Sequence, residues 1–174
     1  MRVALYLLGI ALVLLHSVGQ AAELYGQVVR VSDGDTITIT DAELNRYRVR
    51  LAGIDAPERR QAYGKVSKKY LASRLIGKSV LVDWHKTDRY GRLVGKVSID
   101  ASDVGLGQIK AGMAWHYRQY ANEQSSGDQM AYAAAEVGAR RARIGLWKGS
   151  EPIPPWEFRH KLGSTVTSFL SSPQ

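Results

Sequence analysis

The stretch from Tyr25 to Leu51, "YGQVVRVSDGDTITITDAELNRYRVRL", constrains the fold more than any other part of the chain. Its apolar residues recur with a period of two, which a helix cannot place on one face. Val29 and Val31 lie before an Asp-Gly pair, and Ile37 and Ile39 lie after it. Asp-Gly between β-branched runs predicts a hairpin. "NRYRVRLAGI" continues the alternation, Tyr47, Val49 and Leu51 against Arg48 and Arg50, as a third strand.

A helix is expected next, from Tyr63 to Leu75, with Val66, Tyr70, Leu71 and Leu75 as its apolar side and Gly77 as its stop. "SVLVDW" and "RLVGKVSI" read as strands four and five, with "HKTDRYG" as a polar turn between them. Val104 to Ala111 is predicted as a short helix, weakened by Gly105 and Gly107 at about 1 kcal/mol each relative to Ala. Asp128 to Arg143 is the clearest helix. Asp128 is expected to cap it, Met130, Ala133, Ala134 and Val137 to face inward, and Arg140, Arg141 and Arg143 to suit the C-terminal dipole. No internal repeat is present. Three strands, a helix, two strands and further helices make an α+β chain. The order predicts a five-stranded Greek-key barrel of the oligonucleotide-binding (OB) type with about three helices.

The ends differ from this middle. Arg2 precedes a continuous apolar run, Val3 to Leu15, followed by small residues in "SVGQAAE". The run is short for a membrane-spanning helix. It reads as an export signal over residues 1–22, cleaved after Ala21 or Ala22, with an uncleaved anchor as the alternative. Residues 23–148 form the expected domain. Residues 149–174 form an extension, proline-rich in "EPIPPWEF" and ending in a Ser/Thr-rich tail expected to be extended or loose. The formal net charge is +8, and only Arg2 of that excess lies in the leader. A basic domain favours polyanionic partners through steering and counterion release. There is no cysteine, which excludes disulfides, thiolate metal sites and a cysteine nucleophile.

Three clusters carry the chemistry: "DGDT" with Asp33 and Asp35, "IDAPE" with Asp55 and Glu58, and "DRYGR" with Arg89, Tyr90 and Arg92. Asp33 is explained as a turn residue. Asp35 follows the turn, where a hairpin needs no second acid. Brought together at one barrel rim, Asp35 and Asp55 make a hard oxygen site suited to Ca²⁺ or Mg²⁺. Pro57 holds Ala56 extended, which can present the Ala56 carbonyl as a further ligand. Glu58 is placed to orient or deprotonate a water. Arg50 and Arg92 can grip a phosphate by bidentate forks that Lys cannot reproduce. Together these are the parts of a phosphodiester hydrolase.

With "DGDT", "RLAGIDAPE", "YG" at Tyr63–Gly64, "DRYGR", "IKAGMAW" and "GLW" in this order and spacing, the chain resembles the thermonuclease, or staphylococcal nuclease-like, family of Ca²⁺-dependent nucleases over about Val28 to Trp147. The resemblance implies that Asp35, Asp55 and the Ala56 carbonyl hold Ca²⁺. It places Arg50, Glu58 and Arg92 on the catalytic positions, and Tyr90, with Arg89 beside it, at the nucleotide. The family's best-known member has Thr where Ala56 stands, a change a backbone ligand tolerates. The implied activity is an exported, monomeric endonuclease of low sequence specificity that cleaves single-stranded or frayed DNA and RNA to 3′-phosphate ends, in the periplasm or outside the cell. Two segments depart from the pattern. "RRQAY" after Glu58 is shorter and leaves Arg59 and Arg60 close to the site. "AWHYRQYA" does not align cleanly: Tyr117 or Tyr120 stacks on a base, worth about 1–3 kcal/mol, or Trp115 and Tyr117 are packing residues. His116 is expected to be structural, and Trp156 and Phe158 to dock on the domain. The rival readings are a non-catalytic nucleic-acid-binding barrel, which has no need of three phosphate-repelling carboxylates, and a barrel that binds cell-wall polyanions.

Overall fold

A computed structural model describes residues 22–161. The expected leader lies outside the described residues except for Ala22, and so does the Ser/Thr-rich tail from 162 onward. The sheet strands are β1 (Ala22–Val31), β2 (Thr36–Thr40), β3 (Arg46–Leu51), the short β4 (Ile54–Asp55), β5 (Ser79–Thr87), β6 (Leu93–Ile99), β7 (Ser102–Asp103) and β8 (Trp115–His116). The helices are α1 (Gly64–Leu75), α2 (Val104–Lys110) and α3 (Ser126–Arg141). Two 3-10 turns, Arg118–Glu123 and Gly145–Lys148, flank α3, and residues 155–161 are helical.

Strands run in the order β3-β2-β1-β5-β6, and a parallel β3–β6 ladder closes the circle. Val49, Arg50 and Leu51 face Leu93, Val94 and Gly95 across that seam. The predicted five-stranded OB barrel is therefore the observed fold. Its inside is filled by Val28, Ile37, Ile39, Val49, Leu51, Val80, Val82 and Val97, and α1 adds Leu71 and Leu75. Inward positions alternate with outward ones along the strands, as the pleat requires, except where β1 bulges.

Several local expectations shift. The β1–β2 register slips between Val28 and Arg30. This bulge turns Val28 and Val31 inward and leaves Val29 exposed. The β1–β2 connection closes through Ser32 N donating to Thr36 O at 2.8 Å. Gly34 is not a positive-φ residue there. It is required by proximity, because a Cβ would stand 2.0 Å from Ser67 Oγ and 2.7 Å from Ala56 Cβ. On α1 the buried positions are Gly64, Ser67, Leu71 and Leu75, while Val66 is exposed and Tyr70 is half-buried. His85 to Thr87, expected in a turn, extend β5.

On α3, Ser125 is the cap, its Oγ accepting from Asp128 N at 3.1 Å, and Asp128 pairs instead with Lys96 at 2.6 Å. Met130 is 68 % exposed and Val137 58 %, so they do not face the core, and Ala134 is also exposed. The inward stripe is Tyr132, Glu136 and Ala139. Glu136 is buried because partners reach it: Arg118 at 3.2 Å, Arg140 at 3.4 Å and the His116 N–H at 3.3 Å. α2 is capped by Asp103, whose side chain accepts from Leu106 N. Trp115, Ala139, Leu146 and Trp147 make a second small core beside the barrel, with Trp156 packed on it. The described part of the C-terminal extension is docked there, as expected for Trp156.

Candidate active site

The barrel end where β1 turns into β2 and β3 runs into β4 gathers the predicted residues around a cleft of about 580 Å³. Asp33, Asp35, Arg50, Asp55, Ala56, Glu58, Arg89, Tyr90, Arg92 and Tyr117 all line it. Each is positioned by a local cause. Asp35 sits at the entrance to β2, where Leu51 N donates to its carbonyl at 2.8 Å, so β3 fixes its backbone. Its Oδ2 accepts from Ala56 N at 2.9 Å and its Oδ1 from Thr36 Oγ1 at 3.0 Å. Asp55 lies on β4, held by pairing with Trp115 of β8, and is 1 % exposed.

Arg50 links the two aspartates. Nη1 approaches Asp35 Oδ2 at 3.2 Å and Nη2 approaches Asp55 Oδ1 at 3.1 Å. Nη1 also donates to the carbonyls of Ile54 at 3.1 Å and Leu51 at 3.3 Å. The guanidinium thus fixes the β3–β4 bend as well as both carboxylates.

Glu58 is reached by a tightly wound loop. Its N–H donates to Gln61 Oε1 at 3.1 Å, and its carbonyl accepts from Gln61 N at 2.8 Å. Gly64 then passes so close that a Cβ would stand 2.0 Å from the Glu58 carbonyl oxygen. Tyr63 takes a left-handed conformation, φ 65°, to begin α1 there. Arg59 and Arg60 are exposed beside this loop.

Arg92 opens β6 across the cleft. Asp88 clamps it, with Oδ2 accepting from Nε at 2.7 Å and Oδ1 accepting from the Arg92 and Tyr90 amides at 3.0 and 2.9 Å. Arg92 Nη1 also donates to Thr36 Oγ1 at 3.3 Å. Polar contacts therefore run unbroken from Arg92 through Thr36, Asp35 and Arg50 to Asp55. Tyr90 is an exposed ring with Arg89 and Arg92 at 4.9 and 5.4 Å from its centroid. Tyr117 lies 6.0 Å from the Arg50 guanidinium and touches Tyr120 edge-on. Trp115 is buried against Trp147, and His116 is buried with Nε2 2.9 Å from Gln124 Oε1. Both are packing residues, and of this segment only Tyr117 and Tyr120 reach the cleft.

One contact at the cleft carries no local sequence signal. Arg159, from the docked extension, places Nη2 2.8 Å from Asp55 Oδ2 and Nη1 2.7 Å from Glu58 Oε1. Thr36 and Asp88 are further residues the motifs did not single out. Asp88 was legible as an acid four residues before Arg92, at the spacing of a turn that folds back on its own amides.

The electrostatics separate the acids. Burial raises the Asp35 carboxyl, but Arg50 and the Ala56 N–H outweigh it, and its pKa lies below the ordinary carboxylate value. Asp33 is pushed up to about 7 by burial and by the charge of Asp35. Asp55 is pushed up to about 6 by burial, with Arg159 and Arg50 pulling the other way. Among the described residues no group of three or more His, Cys, Asp and Glu converges as a metal cluster. The donor set at the rim is two aspartates, both hard oxygen ligands. A guanidinium resting on Asp55 and Glu58 marks that position as one that accepts a positive charge. The residues present therefore fit a hard divalent cation.

Residues 48–149 match the family model described as staphylococcal nuclease homologue. The chain belongs to the staphylococcal nuclease family. It is 40% identical over 141 residues to a protein of Escherichia coli named an uncharacterized endonuclease, across 80% of this chain and 88% of that one. It is 38% identical over 167 residues to the micrococcal nuclease of Shigella flexneri, across 90% of this chain and 92% of that one. A Haemophilus influenzae protein, also named an uncharacterized endonuclease, is 38% identical over 135 residues, across 78% of this chain and 72% of that one. The chain is accordingly a nuclease, with nucleic acid as its substrate, and the matched span includes Arg50, Asp55, Glu58 and Arg92.

Proposed function

We propose that this nuclease is an exported, Ca²⁺-dependent endonuclease that hydrolyses DNA and RNA with low sequence specificity, leaves 3′-phosphate ends, and works as a monomer in the periplasm or outside the cell. The observation that carries the catalytic part is the link Arg50 makes between Asp35 and Asp55, with Glu58 beside them and Arg92 across the cleft. Export rests on the leader-like residues 1–22.

Asp35, Asp55 and the Ala56 carbonyl would hold Ca²⁺. When bound, Ca²⁺ supplies positive charge to a non-bridging phosphate oxygen. Arg50 and Arg92 offer guanidinium N–H groups to the phosphoryl oxygens from two sides, where charge grows in the transition state. One such donor is worth about 3–4 kcal/mol of transition-state stabilisation. Asp88 and Thr36 hold Arg92 in orientation so that little ordering is left for the reaction. Glu58 orients a water and accepts its proton as the hydroxide oxygen bonds to phosphorus and the bond to O5′ breaks. The departing O5′ takes up a proton, and the phosphate stays on the 3′ side. Tyr117 and Tyr90 offer aromatic faces to unstacked bases, which favours single-stranded or frayed substrate and reads no sequence.

The test is digestion of heat-denatured DNA by the chain from Glu23, in millimolar Ca²⁺, in Mg²⁺ and with a chelator, followed by analysis of the new ends. Fragments ending in 3′-phosphate in Ca²⁺ alone are expected. Binding without cleavage under every metal would refute the reading and leave a binding barrel.

A further inference from the structure

Residues beyond Ser150 return over the cleft, and three of them meet it. The Ile153 carbonyl accepts from Gln61 Nε2, on the loop that carries Glu58. Trp156 lies flat on Tyr117, with centroids 5.5 Å apart and planes 13° apart. Arg159 reaches Asp55 and Glu58 through the two ion pairs described above.

Two of these contacts copy the chemistry of incoming molecules. A planar aromatic parallel to Tyr117 uses the face on which a base would stack. A guanidinium on Asp55 supplies positive charge to the carboxylate that a divalent cation needs. A guanidinium at 2.8 Å on Asp55 Oδ2 and a divalent cation on the same carboxylate repel each other, so the two compete for it. Arg159 also holds Glu58 Oε1, and a positive charge there makes Glu58 a weaker proton acceptor. The Arg159 side chain remains 42 % exposed while Asp55 beneath it is buried, so water reaches the guanidinium and can solvate it when the pair opens. The contact is well suited to being displaced. A tethered group competes at an effective concentration in the millimolar range, so a weak contact suffices to hold the cleft closed.

We propose that the segment from Ser150 to Lys161 is an intramolecular competitor, with Arg159 in the place of the cation and Trp156 in the place of a base. The proposal rests on the reading of Asp55 as a cation ligand. Cation and nucleic acid each remove one end of the segment, so binding of either favours the other, and by linkage the coupling is reciprocal.

The experiment is calorimetric titration of Ca²⁺ into the full chain and into its Arg159→Gln and Trp156→Ala forms, without nucleic acid, with circular dichroism confirming the fold. Arg159→Gln is expected to tighten Ca²⁺ binding about five- to tenfold, and Arg159→Lys to restore part of the competition. Trp156→Ala is expected to tighten binding of an oligothymidylate in chelator several-fold. At saturating Ca²⁺ the Arg159→Gln form should turn over at the unaltered rate. Equal or weaker Ca²⁺ binding in Arg159→Gln, while the unaltered chain still cleaves DNA in Ca²⁺, would overturn the competitor and leave the nuclease reading intact. A fall in kcat at saturating Ca²⁺ would overturn it too, by making Arg159 a participant in the reaction. No Ca²⁺ binding by any form, with no Ca²⁺-dependent cleavage, would remove the ligand reading beneath it.

Discussion

Arg50→Ala separates the structural and chemical duties of one side chain. In the cation-free protein Arg50 faces Asp35 and Asp55 at 3.2 and 3.1 Å and also satisfies two carbonyls. Removing one partner from a buried ion pair costs about 3–5 kcal/mol, because the other charge stays behind. Two features pull the figure to the lower end. The Arg50 side chain is 15 % exposed, so water screens part of the loss. Asp55 already holds a proton up to about pH 6, so it can neutralise at small cost. A loss of about 3 kcal/mol is expected in chelator, or roughly 10 °C in Tm for a domain of this size. With Ca²⁺ held by Asp35 and Asp55 of the folded protein, as proposed, the cation supplies the missing positive charge, and millimolar Ca²⁺ should return most of that stability. It should not return the rate. The phosphoryl group still lacks a donor, and initial rates on denatured DNA should stay about 10²–10³-fold low. Urea unfolding and initial rates, each with and without Ca²⁺, measure both arms. Unaltered stability in chelator would refute the link between the aspartates, and full activity in Ca²⁺ would refute the phosphate role.

Other perturbations give distinct signatures. Glu58→Gln should lower kcat about 10²–10⁴-fold while leaving the urea midpoint within error, since it pairs with the half-exposed Arg159; an unchanged rate would exclude Glu58 as the base. Gly34→Ala should destabilise by about 1–3 kcal/mol in thermal melts, because its Cβ meets Ser67 Oγ and Ala56 Cβ and must displace α1 or the Asp55 loop; a neutral result would mean that this packing relaxes freely. Asp33 should tilt the pH dependence of the cation-free protein. Its folded pKa of about 7 lies above the ordinary 3.8, so the native state binds the proton more tightly, and the stability this supplies is lost as pH rises from about 4 to about 7. Urea midpoints across that range should fall from this group, and Asp33→Asn should flatten the slope.

The barrel was legible because apolar residues recur at period two in most of its strands and its Asp-Gly turn is short. The residues that line the cleft were legible because Asp35, Arg50, Asp55 and Arg92 sit at or beside strand ends, with Glu58 three residues past one. What failed to show has a common cause. Glu136 is charged, and its burial depends on Arg118, Arg140 and the His116 amide, which lie on other elements or another turn. A hydrophobicity pattern therefore assigns it to solvent and turns the α3 stripe toward Met130 and Val137. The Val28–Arg30 bulge shifts two valines by one position, and nothing in a run of β-branched residues says where a strand will bulge. Arg159 meets a carboxylate 104 residues away, and its neighbours "PWEFRH" contain no feature that points there.

The seam between β3 and β6 has a consequence in time. Arg50 lies in that ladder, opposite Val94, and Arg92 stands just before its first residue. Arg92 and the Thr36 hydroxyl that steadies it are 56 residues apart in the chain. Joining such distant segments is the slow kind of pairing, made after local turns and helices have formed. Until it is made, the two arginines ride on separate ribbons and no phosphate can meet both. With both arginines gripping the phosphate as proposed, a newly synthesised chain acquires its destructive capacity only in the step that completes its barrel.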